Sequence, residues 1–268
     1  MSSHENRAKF NVLILAGMRS GTLDPLAQSA GVSHKCLVPV LGRSLIGRVL
    51  DTAEKALPDA PIFVSIEGPA ALAEEPTVQR LRREGRLTII GAEPNLVDSV
   101  RKASEVADFP LVVTTADNVL VTAEALRAMA AQGSRPGTDA VLAMASKRDI
   151  EAAHSGGKGR YYEFRDGGFS NCNLFWLSGP KALRAAEAFR EGGQFLKVAG
   201  RMQRSFGTLN LILFRLKALT LRQAFGRISQ RLGVRITPLV LSDGRLAIDV
   251  DDQRSKEMVE ELLGAAGA

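Results

Sequence analysis

The chain has 268 residues, 45% hydrophobic and 24% charged, with a mean hydropathy of +0.00; that is enough to bury a full core as one large domain and too apolar for disorder. Cys36 and Cys172, like His4, His34 and His154, show neither metal-ligand nor disulfide spacing, and the polar opening Met1–Lys9 lacks the apolar run of a secretion signal, so a reducing cytoplasm is expected. The net charge of +6 is uneven: nine Lys or Arg and no Asp or Glu fall between Lys197 and Arg235, and setting those nine aside leaves the remainder at −3.

In chain order, Phe10–Ala16 reads as a buried strand that breaks into a glycine turn, Gly17, Met18, Arg19, Ser20 and Gly21. A strand that delivers glycines and a cation at its end is how α/β proteins bring backbone N–H groups against phosphates. The turn matches neither G-x-G-x-x-G nor the Walker sequence. A basic pair, His34 and Lys35, precedes Leu37–Val40. Further strands are predicted over 61–66, 86–90, 110–115 and 138–144, with amphipathic helices over 44–57, 70–84, 97–107 and 122–132. Strands alternating with helices specify an α/β fold with a mostly parallel sheet and right-handed crossovers.

The pattern changes after about residue 150. Residues 155–177 read as a glycine-rich link and an antiparallel hairpin around Asp166, Gly167 and Gly168, lying over the strand ends as an insertion. A helix is expected over 179–191 and a basic helical insertion over 195–232, then strands over 234–241 and 245–250 and a closing helix over 253–263. Phe206–Phe214, the most apolar part of the basic stretch, is too short to span a bilayer.

Leu15, Ala16 and Gly17, the loop with Arg19, Lys35 leading into Leu37–Val40, and Gly42–Ile46 together resemble the MobA-like nucleotidyltransferases, which include sugar-phosphate, alcohol-phosphate and molybdenum-cofactor NTP transferases. Those enzymes open with L-A-G-G-x-G-x-R and a downstream lysine. Here the second glycine directly after Gly17 is absent and the loop from Thr22 to Ser33 is longer. The resemblance implies a single three-layer α/β/α domain over 8–268, with a Rossmann-like sheet of the GT-A-like nucleotidyltransferase kind. It also implies that Leu15 to Met18, Arg19, Ser20 and Gly21 hold the triphosphate, with Arg19 and Lys35 as catalytic cations. Bringing a phosphate nucleophile to an α-phosphate requires such cations, because two anions meet.

Other site residues follow from the same resemblance. Asp117, ending the strand Val112–Ala116, binds Mg²⁺ in the family, and Asp249 and Asp251 match its D-[IV]-D-T ending, which completes the metal site; alternation would put both on one side. Asp252 is expected to cap the helix that follows. Asp98 and Ser99 resemble the D-S-V of isoprenoid-pathway cytidylyltransferases, which meets cytosine and ribose; Ser99 also reads as a helix N-terminal serine. Asn171 and Asn173 alternate, so their amides could face an acceptor, or could serve the hairpin alone.

The implied activity is Mg²⁺-dependent transfer of a nucleoside monophosphate, with CTP favoured, to a phosphorylated sugar, alcohol or acid, with release of pyrophosphate. Two other readings stand beside it: a glycosyltransferase using a nucleotide sugar, and a nucleotide-binding module recruited to membrane. The stretch 197–235 could meet an anionic membrane, at the inner face if so, or pack on the sheet or a second subunit as a homodimer; nucleic acid is not expected, since aromatic interleaving is absent.

Overall fold

The computed structural model describes residues 10–18, 23–156, 161–187 and 207–267. The strands are β1 Asn11–Leu15, β2 Pro39–Val40, β3 Arg43–Ser44, β4 Ile62–Ile66, β5 Leu87–Gly91, β6 Leu111–Thr115, β7 Ala140–Ser146, β8 Tyr162–Phe164, β9 Gly167–Leu177 and β10 Ile236–Leu241. The helices are α1 Pro25–Ser29, α2 Leu45–Ala56, α3 Pro76–Arg83, α4 Leu96–Ala103, α5 Ala123–Gly133, α6 Lys147–Ala153, α7 Leu183–Glu187, α8 Thr208–Arg215, α9 Leu221–Leu232 and α10 Gln253–Gly267.

The main sheet runs in the order β10, β7, β9, β6, β1, β4, β5, with β8 paired to β9. Strands β1, β4, β5 and β6 are parallel to their neighbours in this group, as β7 is to β10. Central strands covered on both faces carry nearly continuous apolar runs; Val12, Leu13 and Ile14 are each 0% exposed. One apolar layer joins this sheet to α2, α5 and α10 through residues such as Val49, Leu126 and Val259, and the other joins it to α4, α7 and α9 through Val100, Ala185 and Phe225. The fold is therefore the expected three-layer α/β/α sandwich. From β1 the chain builds outward to β4 and β5, then returns to place β6 on the other side of β1. That reversal opens a crevice at the carboxyl ends of β1 and β6, where open α/β sheets bind ligands.

Three elements differ from expectation. The hairpin arm Gly167–Leu177 is no surface insertion: β9 threads antiparallel between β6 and β7, pairing Val112 with Trp176 and Leu142 with Phe175. Its amino-terminal part, with β8, stays at the carboxyl end of β7, where Ser146 pairs with Phe169. The helix expected over 70–84 divides into a 3₁₀ turn at Pro69–Leu72 and α3, because Pro76 lacks the N–H needed inside a helix and starts one instead; the Glu75 carboxylate accepts from the Val78 N–H at 2.9 Å as its cap. The expected strand 245–250 is a 3₁₀ turn, Gly244–Ala247, started by Asp243, whose side chain accepts from the Arg245 N–H at 3.0 Å. The 3₁₀ turn packs on α6 instead of joining the sheet. The basic stretch supplies α8 and α9, while 195–206 and the end of the helix expected over 179–191 lie outside the described residues.

Candidate functional site

Three side chains far apart in sequence meet at the crevice. Lys35, on a 3₁₀ turn with Cys36 and Leu37, donates through Nζ to Asp117 Oδ2 at 2.7 Å and to Asp251 Oδ1 at 2.9 Å. Asp117 follows β6, and its other oxygen accepts from the Thr115 hydroxyl at 2.5 Å. The Val250 N–H donates to the Asp117 carbonyl at 3.1 Å, which ties the segment carrying Asp249 and Asp251 to the end of β6. The Lys35 and Asp117 side chains are each 21% exposed and that of Asp251 66% exposed. Burial pulls the Lys35 pKa down, but the carboxylates of Asp117 and Asp251 outweigh it and hold the pKa above the ordinary amine range. The lysine is thus a permanent cation. Next to it, burial pushes the Cys36 thiol up to about 12, so Cys36 is a neutral packing residue.

The glycine turn stands beside this group. Leu15 and Ala16 are buried at the end of β1. A Cβ on Gly17 would come 2.9 Å from Ala92 Cβ and 3.0 Å from Glu67 Oε1, so only glycine lets these chains approach. The Met18 N–H donates to Glu67 Oε2 at 2.8 Å. His34 lies 3.0 Å through Nε2 from the Glu67 carbonyl, which can only accept, so in the neutral ring Nε2 carries the proton and Nδ1 accepts from Ser33. Arg19, Ser20 and Gly21 lie outside the described residues.

The other expected residues occupy different situations. Asp249 is buried at 6% exposure, whereas Asp251 reaches outward to Lys35, because this segment leaves the 3₁₀ turn irregularly and does not follow strand alternation. Among the described residues no group of three or more His, Cys, Asp or Glu is gathered for a metal; the convergence is of two carboxylates. The Ser99 hydroxyl accepts from the Glu93 N–H at 2.9 Å and is 4% exposed, so it shapes the turn before α4 and does not present itself to a base. Asp98 accepts from Asn95 at 2.6 Å and from Arg101 at 2.9 Å. Asn171 and Asn173 do share one side and bond to each other: Asn171 Nδ2 donates to Asn173 Oδ1 at 2.9 Å, and the Asn173 backbone N–H donates to Asn171 Oδ1 at 3.0 Å. This local bond holds Asn173 at φ 45° where β9 shifts register against β7.

Asp252 does cap α10. Its side chain accepts from the Ser255 N–H at 2.8 Å, and the Ser255 hydroxyl accepts from the Asp251 N–H at 2.8 Å. Asp252→Ala is expected to cost about 1 kcal/mol, read as a shift of the urea midpoint. The bonds to Ser255 hold the Asp252 carboxyl below its ordinary range. The cap is therefore complete above about pH 4 and its contribution fades as the pH falls through the folded-state value, which Asp252→Ala removes.

Reasoning from sequence missed Thr115 and Glu67. Thr115 looks like an ordinary β-branched strand residue, and its aim at Asp117 depends on the turn after β6. Glu67 had one readable signal: like Asp117, it lies just past the end of a predicted parallel strand beside the crevice.

A family model described as MobA-like NTP transferase domain matches residues 12–203. A search of curated proteins returned no match. Among solved structures, the chain is similar to a hypothetical transferase from Thermus thermophilus, with 22% identity, coverage of 92% of this chain and 99% of that one, and a TM-score of 0.71. It is also similar to CMP:2-keto-3-deoxy-manno-octonic acid synthetase complexed with CTP, at 12% identity, 97% and 100% coverage and TM-score 0.58. A third is the 4-diphosphocytidyl-2C-methyl-D-erythritol synthase from Anaerococcus prevotii, at 11% identity, 95% and 96% coverage and TM-score 0.55. At these identities the likeness is one of fold.

Proposed function

The chain belongs to the MobA-like NTP transferase family, and on that premise we propose that it transfers a nucleoside monophosphate from an NTP to a phosphorylated sugar, alcohol or acid. CTP is the favoured donor, supported by the two fold relatives whose names carry CMP and diphosphocytidyl. The observation that carries the proposal is the Lys35 ammonium held between Asp117 and Asp251 at the crevice between β1 and β6.

An oxygen of the acceptor phosphate attacks the α-phosphorus, the bond from that phosphorus to the bridging oxygen breaks, and pyrophosphate leaves. The nucleophile is already ionised, so no general base is required. The barrier lies in bringing anions together and in the charge that grows on the leaving group. Lys35 offsets that charge without a change of protonation. Thr115 fixes one Asp117 oxygen and leaves the other for a cation. Gly17 admits the close approach of chains that shapes the turn, and Arg19 is assigned to the β- and γ-phosphates.

Mg²⁺ fits the donor set: Asp117 and Asp251 already share one cation, and hard carboxylate oxygens suit that ion. When bound it would neutralise phosphate charge and the departing pyrophosphate. Asn118, at the position next to Asp117, donates to Thr114 Oγ1 at 3.1 Å and to the Cys172 carbonyl at 2.9 Å and is 1% exposed. It is a tie between β6 and β9, and a D-x-D run of the kind nucleotide-sugar glycosyltransferases carry would need a carboxylate two residues from Asp117, where Thr115 and Val119 stand.

The purified chain, given each NTP with Mg²⁺ and a panel of phosphorylated acceptors, is expected to release pyrophosphate fastest with CTP. A metal chelator should abolish release and added Mg²⁺ restore it, and Asp117→Asn should lower it on the order of a thousandfold. Turnover of a nucleotide sugar with no pyrophosphate would overturn the assignment.

A further inference from the structure

Three of the seven large apolar side chains exposed among the described residues sit together on α8 and its end: Leu209, Ile212 and Leu216 are 63%, 50% and 70% exposed. Their spacing of three and four residues aligns them on one face. Scattered exposed leucines need no explanation, whereas a contiguous apolar face marks an interaction surface.

The helix is anchored from another side. Phe214 packs edge-on against Phe164 with ring centroids 5.4 Å apart. The Arg165 N–H donates to the Leu219 carbonyl at 2.8 Å, and the Leu221 N–H donates to Asp166 at 2.9 Å. The Phe214 contact holds α8, and the other two bonds hold its connection to α9, on the β8–β9 hairpin, which lies at the carboxyl end of β7. The apolar face is therefore carried on the same edge of the sheet as Asp117.

Charge selects the partner. Arg215, Lys217 and Arg222 are exposed around the face, and the whole stretch 197–235 holds nine cations and no acid. A second copy docked face to face would bring these like charges together. A nucleic acid would leave the leucines without a partner. An apolar face with exposed cations beside it, of which Lys217 also pairs with Glu163 at 3.4 Å, matches a lipid surface with anionic headgroups. No helix among the described residues is long and apolar enough to cross a membrane, so the contact would be interfacial. We infer that the α8 face docks the protein reversibly on bilayers containing anionic lipid. The inference does not depend on the nucleotidyl-transfer reading.

The test is sedimentation of the full chain with phosphatidylcholine vesicles with and without phosphatidylglycerol, at low and high salt. Binding is expected only with phosphatidylglycerol and should weaken as salt shortens the Debye length from about 10 Å at 0.1 M. Combined Arg215→Gln, Lys217→Gln and Arg222→Gln should weaken binding on the order of a hundredfold. Combined Leu209→Gln, Ile212→Gln and Leu216→Gln should abolish it with an unchanged circular dichroism spectrum; should that variant misfold, the charge variant, altered only at exposed positions, still decides. Equal binding to phosphatidylcholine alone overturns the inference. So does failure of the full chain to bind anionic vesicles. A leucine variant that loses self-association in light scattering, in a protein that ignores vesicles, would make the face an interface between copies.

Discussion

Replacing Lys35 with methionine is expected to lower pyrophosphate release on the order of a thousandfold or more. The substitution keeps the length of the side chain and removes only its charge. Loss of one preorganised donor at a developing oxyanion costs about 10²- to 10³-fold, and Lys35 carries a full charge, fixed by contacts at 2.7 and 2.9 Å. The effect on folding should be far smaller. Asp251 is largely exposed and can return to water, while Asp117 keeps its bond from Thr115. A loss of roughly 1–2 kcal/mol is expected, read as the urea midpoint without metal. The variant also leaves two carboxylates facing each other without their cation, so its Mg²⁺ affinity should hold or rise while kcat falls. Retained turnover in Lys35→Met would reduce the lysine to a clamp that holds two loops together.

Gly244→Ala is expected to destabilise the protein by about 3 kcal/mol and to impair the site from a distance. A Cβ at Gly244 would overlap the backbone of α6 at Asp149 and Ile150. Backbone in a helix cannot swing aside as the end of a side chain can, so the 3₁₀ turn must lift. The turn carries the buried Leu246 and Ala247, and Asp249 and Asp251 follow within a few residues. The bond from the Val250 N–H to the Asp117 carbonyl ties them to the end of β6. The expected result is a lower denaturation midpoint together with a raised KM for the nucleotide. An unchanged midpoint would show that the turn and α6 can separate freely.

Lys35 could be read in the chain, whereas the part played by Gly244 could not. The apolar runs 10–16, 61–66, 86–90, 110–115 and 138–144 all became strands; all but 86–90, which forms the edge strand with Thr88 exposed, are buried on both faces, where strands must be continuously apolar. The ends of two of them placed Gly17 and Asp117 at the crevice. Lys35 and Asp251 were also legible, through their resemblance to family motifs, and the folded chain brings both to Asp117. Asp252 was legible from local chemistry alone, since a helix cap depends only on residues three positions away.

Where contacts are long-range, the sequence carried no such signal. β9 has the composition of a surface hairpin arm, yet its partners β6 and β7 are set by the sheet order. Asn171 and Asn173 bond to each other because β9 shifts register there, a fact of pairing with β7. Ser99 belongs to its own turn, and Asp249 turns inward while Asp251 meets Lys35, because Gly244 seats the preceding turn on α6. Composition and periodicity by themselves determined an α/β sandwich, and the family motifs marked the glycine turn, the lysine and the carboxylates at its crevice. Which carboxylate faces the cation, and that Glu67 and Thr115 share the site, only the tertiary structure decided, because those choices depend on packing between elements that are distant along the chain.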